Sequence, residues 1–192
     1  MRAAINAQAR SRGARQCQAG ITLVEVLVSL VVLSIGLFGI FQLYAAGQQS
    51  ELASQQHAEA LVVVNDMVDR INANRSAAGC YAITDGSGGT AFVGTGNSTN
   101  YTCAGVDTSA TRAVADEDLD DWGRQVKALV GGRGCIYDDG SADSYRVVVV
   151  WQGRRLSDDP DANCAQGEYG GLEDGQSRRR AISRTVRIAD LD

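Results

Sequence analysis

Between Ile21 and Tyr44 the sequence runs for 24 residues with Glu25 as its only charged side chain. A helix needs about 20 consecutive apolar residues to cross the hydrocarbon core of a bilayer. Lipid offers the backbone no hydrogen bonds, so a lone segment of this kind can only be helical. A carboxylate at the centre of such a helix costs roughly 2.5–3.5 kcal/mol on insertion scales, and less near the interface. Glu25 therefore needs a use and a cationic partner. Residues 1–20 hold Arg2, Arg10, Arg12 and Arg15 and no acid. That bias keeps this end in the cytoplasm and sends the remainder outward.

An ordinary secretory signal has an apolar core of roughly 7–15 residues with a small-x-small cut site after it. Leu43-Tyr44-Ala45-Ala46 imitates such a site, but the core before it is too long and contains Glu25. A simple uncleaved anchor suits the length and leaves the acid without a purpose. The hexapeptide Gly20-Ile21-Thr22-Leu23-Val24-Glu25, directly after the basic leader, accounts for both. It resembles the class III signal of type IV prepilins and related pseudopilins. The resemblance implies that a dedicated prepilin peptidase cuts between Gly20 and Ile21 and methylates the new α-amine of Ile21. It also implies that Glu25 pairs with the N-terminal amine of a neighbouring subunit during assembly. Here the new first residue is Ile rather than the commoner Phe. A free α-amine titrates at about 7.7–8.0, so it is largely cationic at neutral pH. In a low-dielectric filament core the two charges attract strongly, and leaving either one unpaired is costly. The expected organisation is a leader peptide at 1–20, a transmembrane and assembly half-helix at 21–44, and a periplasmic domain at 45–192 that includes the outer half of the helix.

The chain carries 18 basic and 23 acidic residues; without the four leader arginines the balance is 14 to 23, a charge of −9 over 172 residues. An acidic product with no dense basic-aromatic patch argues against nucleic acid as primary ligand. Cys17 leaves with the leader, and Cys80, Cys103, Cys135 and Cys164 remain, an even number in an exported domain. Their surroundings are polar and glycine-rich, unlike a C-x-x-C metal knuckle, which favours disulfides in an oxidising periplasm. Of the pairings open to them, Cys80–Cys103 and Cys135–Cys164 are expected, since each closes a local loop, worth about 3 kcal/mol in the chain-entropy model.

No proline precedes Pro160, so nothing stops a helix from Thr22 to Ala73, about 80 Å at 1.5 Å per residue. Ala60, Val64, Met67 and Ile71 form one stripe with Leu61 and Val68 beside it, while Gln55, Glu59, Asp66 and Asp69 lie opposite. Gly36 and Gly39 are the weak points if this helix bends. It ends in Asp69-Arg70-Ile71-Asn72-Ala73-Asn74-Arg75, which with the N-terminal motif resembles PilV-type minor pilins, the type IV pilus modification proteins, over residues 14–80. Residues 79–113 contain seven glycines and read as a stapled loop region with one short strand near Ala91-Phe92-Val93. A second helix is expected from Asp116 to Val130, capped near Asp116 and stopped by Gly131-Gly132. Cys135-Ile136-Tyr137, Tyr145 to Trp151 and Ala181 to Ile188 are strand-like, and the last alternates as in a sheet with one wet face. The expected class is α+β: about three antiparallel strands packed on the outer half of the long helix, with disulfide-stapled loops. That arrangement is similar to the pilin fold.

Nothing assembles into an enzyme. His57 is the only histidine and falls on a helix beside Gln55 and Gln56. The acids Asp116, Glu117, Asp118, Asp120 and Asp121 suit a helix start better than a metal cage. Asp158-Asp159-Pro160-Asp161 is rich enough in oxygen for calcium, but its spacing is not that of an EF-hand, so a solvated turn is expected. Gly86-Ser87-Gly88-Gly89 lacks the Lys-Ser/Thr of a phosphate loop, and Arg178-Arg179-Arg180 reads as a charged strand edge. The Asn-x-Ser/Thr matches at Asn74, Asn97 and Asn100 carry no weight without eukaryotic secretion. No cofactor and no metal are expected. The expected function is that of a minor pilin of a bacterial type IV pilus, with roles in assembly, adhesion or twitching motility. Its expected partners are the prepilin peptidase/N-methyltransferase, other minor and major pilins, the inner-membrane assembly platform, and lipid before assembly. The alternatives are a pseudopilin of a type II secretion system and a membrane-anchored periplasmic binding or adhesive domain.

Overall fold

With no proline to interrupt it, helix α1 runs unbroken from Leu23 to Ala73, 51 residues. The computed structural model describes residues 20–84, 91–96, 103, 109–140, 143–170 and 175–188. The chain divides into two units, Met1–Gly47 and Gln48–Asp192. Within the second unit the outer part of α1 buries Ala60, Val63, Val64, Met67 and Ile71. Ala60, Val64, Met67 and Ile71 are the stripe expected from the sequence, Val63 joins it, and Leu61 and Val68 flank it half-buried.

After α1 come a 3-10 turn at Arg75–Tyr81, strand β1 at Val93–Gly94, helix α2 at Ser109–Ala128, and strands β2 at Arg133–Asp138, β3 at Ser144–Asp158 and β4 at Gln176–Arg187. The strands form one antiparallel sheet in the order β1-β2-β3-β4. An α+β protein with a long N-terminal helix packed on a small antiparallel sheet is the architecture that the pattern of the sequence called for.

Helix α2 starts at Ser109, seven residues earlier than the acids at 116–121 suggested. The segment Ala110-Thr111-Arg112-Ala113-Val114-Ala115 contains no breaker, so the helix extends upstream through it. The acids consequently sit in mid-helix, and Asp116 is not a cap. Ala115, Leu119, Trp122 and Val126 make the buried face of α2. The Trp122 indole donates to the Val63 carbonyl of α1 at 2.9 Å, which satisfies its one polar atom in a dry core.

The sheet lacks the single wet face that β4 alone implied. In β3, Val147, Val149 and Trp151 face the helices with Ile136 of β2. Val148 and Val150 face the other way and pack with Phe92, Cys135, Tyr137, Cys164 and Ala165. The segment 159–170 covers that second face, which is why the valines of β3 are continuous rather than alternating with polar residues. Two disulfides close the loops, Cys80–Cys103 and Cys135–Cys164, spanning 23 and 29 residues. These are the two local pairings expected from the sequence.

Arg179 holds this cover in place. Its side chain is 2% exposed. It donates to both Asp159 carboxylate oxygens, at 3.1 and 2.9 Å, and to the carbonyls of Pro160, Ala162 and Cys164 at 2.8, 2.6 and 2.7 Å. The planar fork of a guanidinium suits such a task, and Lys cannot reproduce it. The expected charged strand edge is thus half wrong: Arg178 is exposed while Arg179 is buried. On the same face Arg133 stacks on Phe92 and Tyr169, 5.3 and 4.8 Å from the ring centres, and pairs with Glu168 at 3.1 Å. Strand β3 carries extra residues between Gln152 and Ser157 relative to β4. Arg180 spans this irregularity by bonding Ser157 and the Arg155 carbonyl.

Two outcomes follow for stability. A Cβ on Gly134 would lie 2.5 Å from Trp122 Cη2, so Gly134→Ala is expected to destabilise the domain by about 1–3 kcal/mol in denaturant titrations. Burial disfavours the Asp159 charge, but bonds from Arg179 and Ser177 and the Arg179 charge outweigh it and hold the carboxyl below the usual range. A depressed carboxylate contributes stability that is present above its unfolded value, about 3.9, and lost as pH falls through the folded one. Asp159→Asn is therefore expected to narrow the stability difference between pH 7 and pH 3, measured by the same titrations.

Candidate functional site at the start of the long helix

The residues singled out at the N-terminus lie together where α1 begins. Gly20, Ile21 and Thr22 are outside the helix, and all three are exposed. The Thr22 carbonyl accepts from the amides of Glu25 and Val26 at 3.0 and 3.3 Å. Its Oγ1 also accepts from the Glu25 amide at 3.3 Å. Thr22 is thus the N-cap of α1, and Glu25 occupies the third helical position. Thr-x-x-Glu is the sequence signature of a capping box, and Thr22-Leu23-Val24-Glu25 carries it in addition to the acid itself. A carboxylate in the first turn also meets the positive end of the helix dipole.

Every residue from Ile21 to Tyr44 is exposed, Leu23 at 82% and Leu43 at 75%. The helix is apolar around its whole circumference here, which in a stable protein means that lipid or other protein surrounds it. Its two serine hydroxyls are already satisfied: Ser29 donates to the Val26 carbonyl at 2.8 Å and Ser34 to the Leu30 carbonyl at 2.7 Å. Such back-bonding lets Ser enter a bilayer without an unpaired donor. By length and composition this helix can cross a membrane.

The second unit contains a polar cluster rather than a reaction centre. Arg70 donates to Asp66 at 2.8 Å and to Asp118 at 2.6 Å. Tyr81 donates to the other Asp118 oxygen at 2.6 Å, and Asn74 donates to Tyr81 and to the Thr111 carbonyl at 3.2 and 3.0 Å. Gln125 reaches Asp66 at 3.2 Å. Burial pushes the Tyr81 hydroxyl up, aided by its bond to Asp118. Burial opposes the Arg70 charge, but its bonds to Asp66 and Asp118 prevail and raise it. The helix end that resembled PilV-type sequences therefore supplies Arg70 and Asn74 to tie α1 to α2. Asp66, expected on the wet face, belongs to this tie because α2 covers it.

His57 is exposed, with its ring 5.9 Å from that of Trp151. Asp159 is engaged by Arg179, while Asp158 and Asp161 face solvent. An open groove of about 620 Å3 lies between Leu52, Gln55 and Glu59 of α1 and Gln152, Arg154 and Arg178 of the sheet. Among the described residues no group of three or more metal-ligating side chains comes together. Cys17, the leader arginines, the stretch Gly86–Gly89, Asn97 and Asn100 lie outside the described residues.

No curated protein and no solved structure matches the chain. Residues 15–41 match a family profile described as the prokaryotic N-terminal methylation motif. The matched span contains Gly20, Ile21, Thr22 and Glu25 together with most of the apolar run. Motif and apolar helix together point to membrane anchoring, and the chain carries the N-terminal signature of a type IV pilin-like or pseudopilin protein.

Proposed function

We propose that this chain is a minor pilin of a bacterial type IV pilus, made as a precursor in the inner membrane. The leader arginines keep the N-terminus cytoplasmic and the disulfide-bonded domain enters the periplasm. A prepilin peptidase/N-methyltransferase removes residues 1–20 and methylates Ile21. The helix then leaves the bilayer, aided by the assembly platform, and packs among other minor and major pilins. The protein is a structural subunit and not an enzyme, with roles in priming the filament, adhesion or twitching motility.

One observation carries the reading: an apolar half-helix, exposed at every residue up to Tyr44, that begins at Leu23, just past the Gly20–Ile21 junction, with a single acid in its first turn. A new α-amine at Ile21 would stand at the positive end of its own helix, where a cation is unfavourable. A carboxylate from an adjacent subunit relieves that cost and removes the penalty of carrying Glu25 in an apolar medium. Register and direction along a filament follow from this one pairing. A pseudopilin of a type II secretion system uses the same physics, and recovery of the chain from sheared surface filaments separates the two.

Intact mass and N-terminal peptide mapping from native membranes are the test. The expected species begins at Ile21, carries one added methyl group and is four hydrogens lighter than its reduced form, as two disulfides require. A retained arginine-rich leader would instead mean an anchored periplasmic binding domain. Glu25→Leu is expected to leave cutting intact and to reduce recovery in filaments by at least tenfold, since each lost factor of ten reflects only about 1.4 kcal/mol of pairing. Filaments that accept Glu25→Leu as readily as the unaltered chain would defeat the assembly role of the acid.

A further inference from the structure

We infer that Thr22 is a positioning residue for the cut between Gly20 and Ile21, acting by ending the helix short of the scissile peptide. The inference rests on the prepilin reading above. Hydrolysis adds water at the Gly20 carbonyl carbon. The bond to the Ile21 nitrogen breaks, Gly20 departs as a carboxylate, and Ile21 retains the electron pair and gains a proton as the new amine. Negative charge develops on the Gly20 carbonyl oxygen in the process, and a peptidase must reach that atom with its own donors.

A helix continued upstream would take that oxygen away. Its i to i−4 pattern would direct the Val24 amide to the Gly20 carbonyl and the Glu25 amide to the Ile21 carbonyl. The structure has neither arrangement among the described residues. The Glu25 amide is held by the Thr22 carbonyl at 3.0 Å and by Thr22 Oγ1 at 3.3 Å, and the Val26 amide by the Thr22 carbonyl at 3.3 Å. Gly20 and Ile21 lie outside the helix, ahead of the cap. The drive to recruit upstream carbonyls is strong at this place, because an unsatisfied amide near lipid costs far more than one in water. Thr22 supplies the acceptor locally, and Gly20, a poor helix former, reinforces the stop.

The test uses the full-length chain in membranes with a prepilin peptidase, following conversion over time. Thr22→Val keeps the branched shape and removes only the side-chain acceptor. It is expected to slow cutting about fivefold, the factor that loss of one ordinary cap carries. Thr22→Ser and Thr22→Asn restore an acceptor with different shapes and are expected to return the rate to within about twofold of the unaltered chain, since both are good caps. Normal cutting of Thr22→Val overturns the proposal. So does a slow Thr22→Asn beside a fast Thr22→Ser, because the peptidase would then be reading the hydroxyl itself. An unaltered chain that is never cut overturns the prepilin reading and this inference with it, whereas a fast Thr22→Val alone leaves that reading standing.

Discussion

The backbone hydrogen bonding of one uninterrupted helix is the constraint from which the remainder of this chain follows. An apolar segment can enter lipid only if its own amides and carbonyls are paired within it, and α1 meets that demand over 51 residues without a proline. The same ladder then continues into the second unit, where Ala60, Val64, Met67 and Ile71 supply one wall of the core. One element therefore carries surfaces suited to two different surroundings. Side chains alone make the change: apolar on every side up to Tyr44, apolar along a single stripe beyond Ala60. The break at Thr22 and the tie formed by Arg70, Asn74, Tyr81 and Asp118 mark the two ends of this ladder.

Much of this was legible in the residues because the signals are local. The apolar run, the basic leader and Glu25 lie within one short stretch, and the stripe on α1 recurs with the helical period. Disulfide partners were legible for the same reason, as each bond spans a short loop. What escaped depends on contacts distant in sequence. Asp66 looks like a wet-face residue until α2 is placed over it. Arg179 looks like its neighbours Arg178 and Arg180 until the 159–164 segment folds back on it. The start of α2 was misplaced because five acids resemble a helix start, while the stretch before them carries no comparable signal and simply lacks a reason not to be helical.

The double burial of the sheet is the least predictable part. A single strand such as β4 alternates well enough to suggest water on one side. The run Val147 to Val150 argues the reverse, and it is correct because a loop pinned by Cys164, Arg179 and Tyr169 serves as a second layer. Tyr169 adds a bond of 2.6 Å to the Gly131 carbonyl at the turn that follows α2. A small domain thus gains a thicker core than its length suggests, at the cost of burying a guanidinium that must have every bond it makes.

Strand β4 ends the sheet, and an outermost strand presents free amides and carbonyls to any passing chain. Here that border carries Arg178, Arg184 and Arg187 in the open, while β1 at the opposite border is only two residues long. Like charges brought face to face across a new strand pair repel one another. Copies of this chain brought close together are therefore discouraged from joining through their sheets into amyloid-like ribbons.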